Sequence, residues 1–93
     1  FGDMLELGSS SDEQHKRIGE KCSELDLNIV YTIGKETKHT DSAIKKGLNH
    51  KHFQSKKRLI ESIKNILSPG DKILFKGSRS MNMEHIISGV FEL

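Results

Sequence analysis

The alternation of residue types along this 93-residue chain predicts an α/β domain, a doubly wound and mostly parallel sheet with helices on both faces. Two observations carry that prediction. Short apolar, β-branched runs alternate with longer stretches whose apolar residues recur at helical spacing. The strand–helix order also repeats about four times, counting a strand that ends near Phe1, and that order calls for parallel strands joined by right-handed crossovers.

The elements follow in order. Ser9 to Glu13 reads as a helix start, with Ser11 and Gln14, or equally Ser10 and Glu13, spaced as a capping box. The helix that follows lines up His15, Ile18, Gly19, Cys22 and Leu25 on one face. Ile29-Val30-Tyr31-Thr32-Ile33 is β-branched, stops at Gly34 and predicts a buried strand. Residues 41–46 predict a short helix closed by Gly47 as a left-handed cap. His50 to Phe53 is a weaker strand candidate. Ser55 can cap the next helix, whose Leu59, Ile60, Ile63, Ile66 and Leu67 form an amphipathic face. Ser68-Pro69-Gly70-Asp71 is a strong turn signal. A further strand is predicted at Lys72–Lys76, then a loop Gly77-Ser78-Arg79-Ser80, then a last helix with Met83, Ile86, Ile87 and Val90 on its apolar face.

Composition narrows the functional classes. Ninety-three residues make one domain, residues 1–93. At 33% hydrophobic and 30% charged, the chain is too apolar for disorder and too polar for a membrane protein. No apolar run approaches the roughly 20 residues of a transmembrane helix. The lone cysteine, Cys22, excludes an internal disulfide framework and fits a reducing cytoplasm. A net charge of +2 is weak support for a polyanionic partner. The basic stretch Lys45–Arg58 contains one aromatic residue, Phe53, and lacks the stacking platform of a single-strand binder, so a solvated face is the better reading. No nucleic-acid or membrane partner is expected. The chain opens at Phe1, already inside a structured segment, which suggests a piece of a larger protein with its first strand truncated.

In open α/β sheets ligands collect at the carboxyl ends of strands, beside helix N-termini. Two loops fall there. Gly2-Asp3-Met4-Leu5-Glu6-Leu7-Gly8 follows the truncated strand, and Lys76-Gly77-Ser78-Arg79-Ser80 follows the last one. The second loop combines a glycine, a hydroxyl and two cations, which suits a carboxylate or phosphate. Gly34-Lys35-Glu36-Thr37 looks like the end of a P-loop, but Ile29 stands where the first glycine belongs and Glu36 where Ser or Thr is required. The five histidines form no zinc-ligand pattern with Cys22, and no metal site is expected; His15, on an apolar stripe, reads as a hydrogen-bonded packing residue.

The paired loops carry a resemblance. Gly2-Asp3-Met4-Leu5-Glu6-Leu7-Gly8 with His15 and Gly19, then Ser68-Pro69-Gly70-Asp71, Lys76-Gly77-Ser78-Arg79 and Met81-Asn82-Met83-Glu84, resemble the C-terminal domain of Mur ligases that add D-alanyl-D-alanine to UDP-N-acetylmuramoyl-tripeptide. The resemblance spans essentially the whole chain. Ser80 departs from it, since glycine is common there. It implies a Rossmann-like closing domain of a three-domain enzyme; the chain itself is expected to be cytoplasmic and, with amphipathic helices closing its core, monomeric. In such an enzyme an N-terminal domain holds the UDP-sugar, and a central domain binds ATP and Mg2+. ATP phosphorylates the tripeptide carboxylate, and the dipeptide amine attacks the acyl phosphate. This chain would contribute no catalytic group of its own and would be inactive in isolation. By carry-over, Lys76 or Arg79 pairs with the dipeptide carboxylate and Ser78 gives a neutral hydrogen bond. Asp3 and Glu6 order the loop, bind the incoming ammonium or contact the nucleotide, and for Asp3 a loop-bracing role stands beside direct contact. The competing reading from the residues alone is a non-enzymatic anion- or nucleotide-binding α/β regulatory module.

Overall fold

In the computed structural model, which describes residues 1–92, the run Ile29–Ile33 forms strand β1 and Asn49–Phe53 forms β2. They pair in parallel, with Val30 opposite His50 and Ile33 opposite Phe53. A parallel pair needs a crossover, and the crossover here contains a short helix, α2, at Lys38–Ser42. Side chains alternate along a strand, so Val30 and Thr32 face one way and Tyr31 and Ile33 the other. Each face has its own core. Val30 packs with Ile44 and with Cys22 of helix α1, Ser11–Glu24, and Phe1, Ile18 and Leu48 close the edge of that cluster. Ile33 and Phe53 pack with Leu59 and Ile63 of α3, Lys56–Ile66, and with Ile86 and Val90 of α4, Met83–Phe91. Helices thus cover both faces of the strands, and the class is α/β.

The free edge of β1 meets the start of the chain. The Phe1 backbone nitrogen donates to Tyr31 C=O at 2.7 Å, and Ile33 N–H donates to Phe1 C=O at 2.9 Å. On its far side Gly2 N–H donates to Lys76 C=O at 2.8 Å. Residues 1–3 therefore run parallel to β1, between it and residues 76–78. Below this strip lies an open trough of about 780 Å³, with Leu27, Ile29, Tyr31, Ile66, Leu74 and Phe75 among its lining.

Several predicted features differ in the structure. The strand predicted at Lys72–Lys76 does not form. The neighbouring backbone, residues 1–3, runs beside 76–78, so residues 72–75 pair with no strand among the described residues, and Leu74 is exposed. The predicted helix at 41–46 forms instead at Lys38–Ser42, because the backbone N–H groups just before it are tied to a distant carboxylate described below. Gly47 does take a left-handed conformation, at φ 101°, but in a turn beyond the helix. Neither capping box forms: Ser10 Oγ donates to Leu7 C=O, and Ser11 Oγ contacts the His15 ring. Leu25 lies past the end of α1 and is exposed, as is Ile66 in the last turn of α3. Ser55 caps α3 as predicted by accepting from Arg58 N–H, and Asp71 N–H closes the 68–71 turn on Ser68 C=O.

The closest helix contact is between α1 and α2. A Cβ on Gly19 would sit 2.1 Å from Thr40 C=O and 2.9 Å from Ala43 Cβ, and Thr40 Oγ1 donates to His15 C=O. Gly19→Ala gains up to about 1 kcal/mol in helix propensity but overpacks this contact at a cost of about 1–3 kcal/mol or more. A net loss of stability is expected in urea unfolding, and a neutral or stabilising result would contradict the packing described.

Candidate functional site

Gly34 has φ 124°, a conformation that turns the chain sharply after β1 and aims the next three N–H groups at one point. The Asp3 carboxylate occupies that point. Lys35 N–H donates to Oδ2 at 2.9 Å, while Glu36 N–H and Thr37 N–H donate to Oδ1 at 3.0 and 2.8 Å. Asp3 is only 4% exposed. Gly34 has no room for a side chain, since a Cβ would lie 2.4 Å from Asp3 Oδ1. Successive N–H groups of this kind form an anion-binding concavity. The segment that looks like a P-loop end does hold an anion, and that anion belongs to the protein.

The backbone of the same residues carries the second loop. Asp3 C=O accepts from Ser78 N–H at 2.9 Å, and Leu5 N–H donates to Ser78 Oγ at 2.7 Å. Between them, Met4 N–H donates to His15 Nε2 at 3.0 Å. With Nε2 accepting, the His15 proton lies on Nδ1 and points to Ser11 C=O at 2.7 Å. His15 is buried and its ring is satisfied on both sides, so the packing role read from its apolar stripe is the observed one.

The loops at 2–8 and 76–80, separated by some seventy residues, are thus joined directly. Among the five site candidates, Asp3 and Ser78 are brought together through backbone. Asp3 is placed as the loop-bracing alternative describes, with its carboxylate turned into the 34–37 turn. Ser78 Oγ accepts one bond and keeps its own proton for a further acceptor. Lys76 and Arg79 are exposed, and among the described residues neither takes part in an ion pair. Arg79 opens a 3-10 turn, Arg79–Met81, that leads into α4. Glu6 is exposed with φ 64°, an uncommon conformation for a non-glycine residue.

Two further histidines have local partners. His52 Nδ1 meets the buried Thr32 hydroxyl at 2.8 Å, and His50 pairs with Asp41 at 2.6 Å. Burial pushes the Cys22 thiol up from its ordinary range, which keeps it neutral and makes it a packing residue rather than a nucleophile. Sequence reading did not anticipate a surface group of Asp12, Glu36 and His39, whose ligand atoms lie within 4.8 Å of one another. Asp12 and His39 already contact each other at 3.2 Å, an arrangement that a hydrogen bond between ring and carboxylate accounts for. No helix among the described residues is long and apolar enough to cross a membrane.

Residues 1–79 match the family model described as Mur ligase, glutamate ligase domain. Among curated proteins, the UDP-N-acetylmuramoyl-tripeptide–D-alanyl-D-alanine ligase of Bacillus subtilis (strain 168) is 37% identical, over 99% of this chain and 21% of the relative. The enzymes of the same name from Buchnera aphidicola subsp. Acyrthosiphon pisum (strain APS) and Escherichia coli (strain K12) are 36% and 33% identical, each over 98% of this chain and 20% of the relative. The chain spans about a fifth of the length of these relatives. No solved structure matches it.

Thr37 gives a local test of the 34–37 turn. Its N–H is bonded to Asp3, yet its buried hydroxyl finds no partner among the described residues. An unpaired buried hydroxyl costs about 1–3 kcal/mol. Thr37→Val keeps the shape and the N–H, and should be neutral or stabilising by about 1 kcal/mol in thermal or urea unfolding. A loss above about 2 kcal/mol would mean that the hydroxyl is bonded after all.

Proposed function

The chain belongs to the Mur ligase family, in its glutamate ligase domain, and on that premise we propose that it is the closing C-terminal domain of an ATP-dependent ligase that adds D-alanyl-D-alanine to UDP-N-acetylmuramoyl-tripeptide. The observation that carries the reading is agreement in both sequence and site. Relatives of that one name match the chain nearly end to end, and the loop that would take the dipeptide presents two exposed cations and a hydroxyl held in place by a backbone N–H. The whole enzyme is read as a cytoplasmic monomer that works in peptidoglycan synthesis. Its UDP-sugar site and its ATP and Mg2+ site lie in other domains, and this chain alone is inactive.

In that enzyme the tripeptide carboxylate is activated as an acyl phosphate with ATP and magnesium. The residues of this chain then act on the incoming dipeptide. Arg79 offers a planar fork that holds a carboxylate by two hydrogen bonds, and Lys76 adds a second positive charge. Ser78, anchored by Leu5 N–H, donates its remaining proton to the dipeptide. Glu6, on the exposed side of the first loop, supplies a carboxylate for the ammonium end. Filling of the 34–37 turn by Asp3 argues against the regulatory nucleotide-binding alternative, because the backbone N–H groups of that turn are taken by the protein's own carboxylate.

The same reading completes the fold. The Phe1 ladder and the apolar trough beside it support a strand that enters from before Phe1, parallel to β1 and covering residues 72–75. With it, the sheet becomes the doubly wound, Rossmann-like arrangement predicted from the sequence.

Kinetics of the full-length ligase test the assignment. Arg79→Ala should weaken dipeptide use by about 2–3 kcal/mol, the scale of a broken charge-assisted pair, while half-saturation by ATP changes little. Arg79→Lys should recover part of the loss, because geometry as well as charge is involved. Unchanged dipeptide half-saturation and turnover in a well-folded Arg79→Ala enzyme would contradict the assignment.

A further inference from the structure

We propose that Asp3 is a positioning residue for the Lys76–Arg79 loop, setting where the dipeptide-binding groups stand without touching the dipeptide itself. The proposal rests on the ligase reading above and adds to it a residue that acts at a distance. Three atoms of Asp3 are committed in two directions. Its two carboxylate oxygens take the N–H groups of Lys35, Glu36 and Thr37, and its carbonyl takes the N–H of Ser78. One residue therefore ties the turn after β1 to the loop that enters α4.

The coupling is tight on both sides. Toward the turn, the missing Cβ of Gly34 leaves a cradle that the carboxylate fills to contact distance. Toward the loop, Gly2 N–H holds Lys76 C=O, Asp3 C=O holds Ser78 N–H and Leu5 N–H holds Ser78 Oγ, so residues 76–78 hang on residues 2–5 at three points, two of them backbone. A Cβ on Gly77 would lie 3.1 Å from Gly2 Cα, so the two strips are also in direct backbone contact. A shift of residues 2–5 is then passed to Ser78, and through the chain to its neighbours Lys76 and Arg79. Misplacement by about 1 Å can cost about a hundredfold in rate when groups must meet a reacting centre in one geometry. Burial at 4% leaves the carboxylate no open face for an ammonium or a nucleotide.

A double-mutant cycle in the full-length ligase separates positioning from bulk stability. Asp3→Asn places an NH2 where one of the turn donors arrives, and Ser78→Ala removes the hydroxyl that Leu5 holds. Each single change should lower kcat/KM for D-alanyl-D-alanine by about tenfold or more, with half-saturation by ATP within about twofold. If Asp3 acts through Ser78, the double mutant should be little worse than the poorer single mutant, because coupled sites are not additive. If Asp3→Asn does not fold, Asp3→Glu, which keeps the charge and lengthens the side chain, replaces it in the cycle. Losses that multiply, or an Asp3 variant with normal dipeptide use, would overturn the proposal while leaving the ligase reading intact. A wild-type enzyme that does not use the dipeptide would instead remove the ligase reading. Positioning would then be judged by crystal structures of the wild type and the Asp3 variant: a displaced 76–79 loop supports it, and an unmoved loop overturns it.

Discussion

The Asp3 carboxylate lies almost wholly out of water, and a lone buried charge costs several kcal/mol unless its surroundings replace the lost hydration. Here three backbone N–H groups replace it. Each bond to a charged group contributes about 1.5–3 kcal/mol net, so the gain and the penalty are of the same order. The interaction therefore matters less as a source of stability than as a constraint on geometry. It requires a left-handed residue without a side chain at Gly34, it sets the start of α2, and it fixes the path of residues 2–5. Ser78, His15 and the start of the last helix are all arranged around that path.

This constraint also explains why two loops far apart in sequence lie side by side. Strand β1 delivers the 34–37 turn, the strip at residues 1–3 lies against its edge, and the 76–78 segment lies against that strip. All three reach the same end of the strands, where an α/β fold collects its ligands. The protein uses its own carboxylate at the position where a nucleotide-binding loop would hold a phosphate. The exposed cations at Lys76 and Arg79 remain available for an external carboxylate. The fixed internal anion is thus joined, through the bond between Asp3 C=O and Ser78 N–H, to the loop that carries these two exposed cations.

Much of this was legible in the sequence, for reasons that can be traced to particular residues. The β-branched run 29–33, the amphipathic spacing of Leu59, Ile60 and Ile63, the Ser55 cap and the 68–71 turn are local signals, and these survived folding. The start of α2 was not legible, because it depends on bonds that reach back 32 to 34 residues to Asp3. The strand expected at 72–76 failed for a related reason: a strand needs a neighbour, and no pattern within Ile73-Leu74-Phe75 says where that neighbour runs. Within the site, the resemblance carried Asp3 and Ser78 into one group. It did not reveal that the Asp3 carboxylate faces the turn, or that Leu5 N–H holds the Ser78 hydroxyl. The near-match of Gly34–Thr37 to a P-loop was the available hint, since a loop that can cradle a phosphate can also cradle a carboxylate.

Amide hydrogen exchange at Lys35, Glu36 and Thr37 tests the central claim most directly. Lys35 is exposed and lies in no helix or strand, so without the Asp3 bond its amide should exchange as fast as that of an open loop. The account predicts that all three amides are protected to nearly the stability of the whole domain, and that Asp3→Asn releases them while the amides within β1 stay protected. Fast exchange of the three amides in the unmodified protein, or protection that Asp3→Asn leaves untouched, would contradict it.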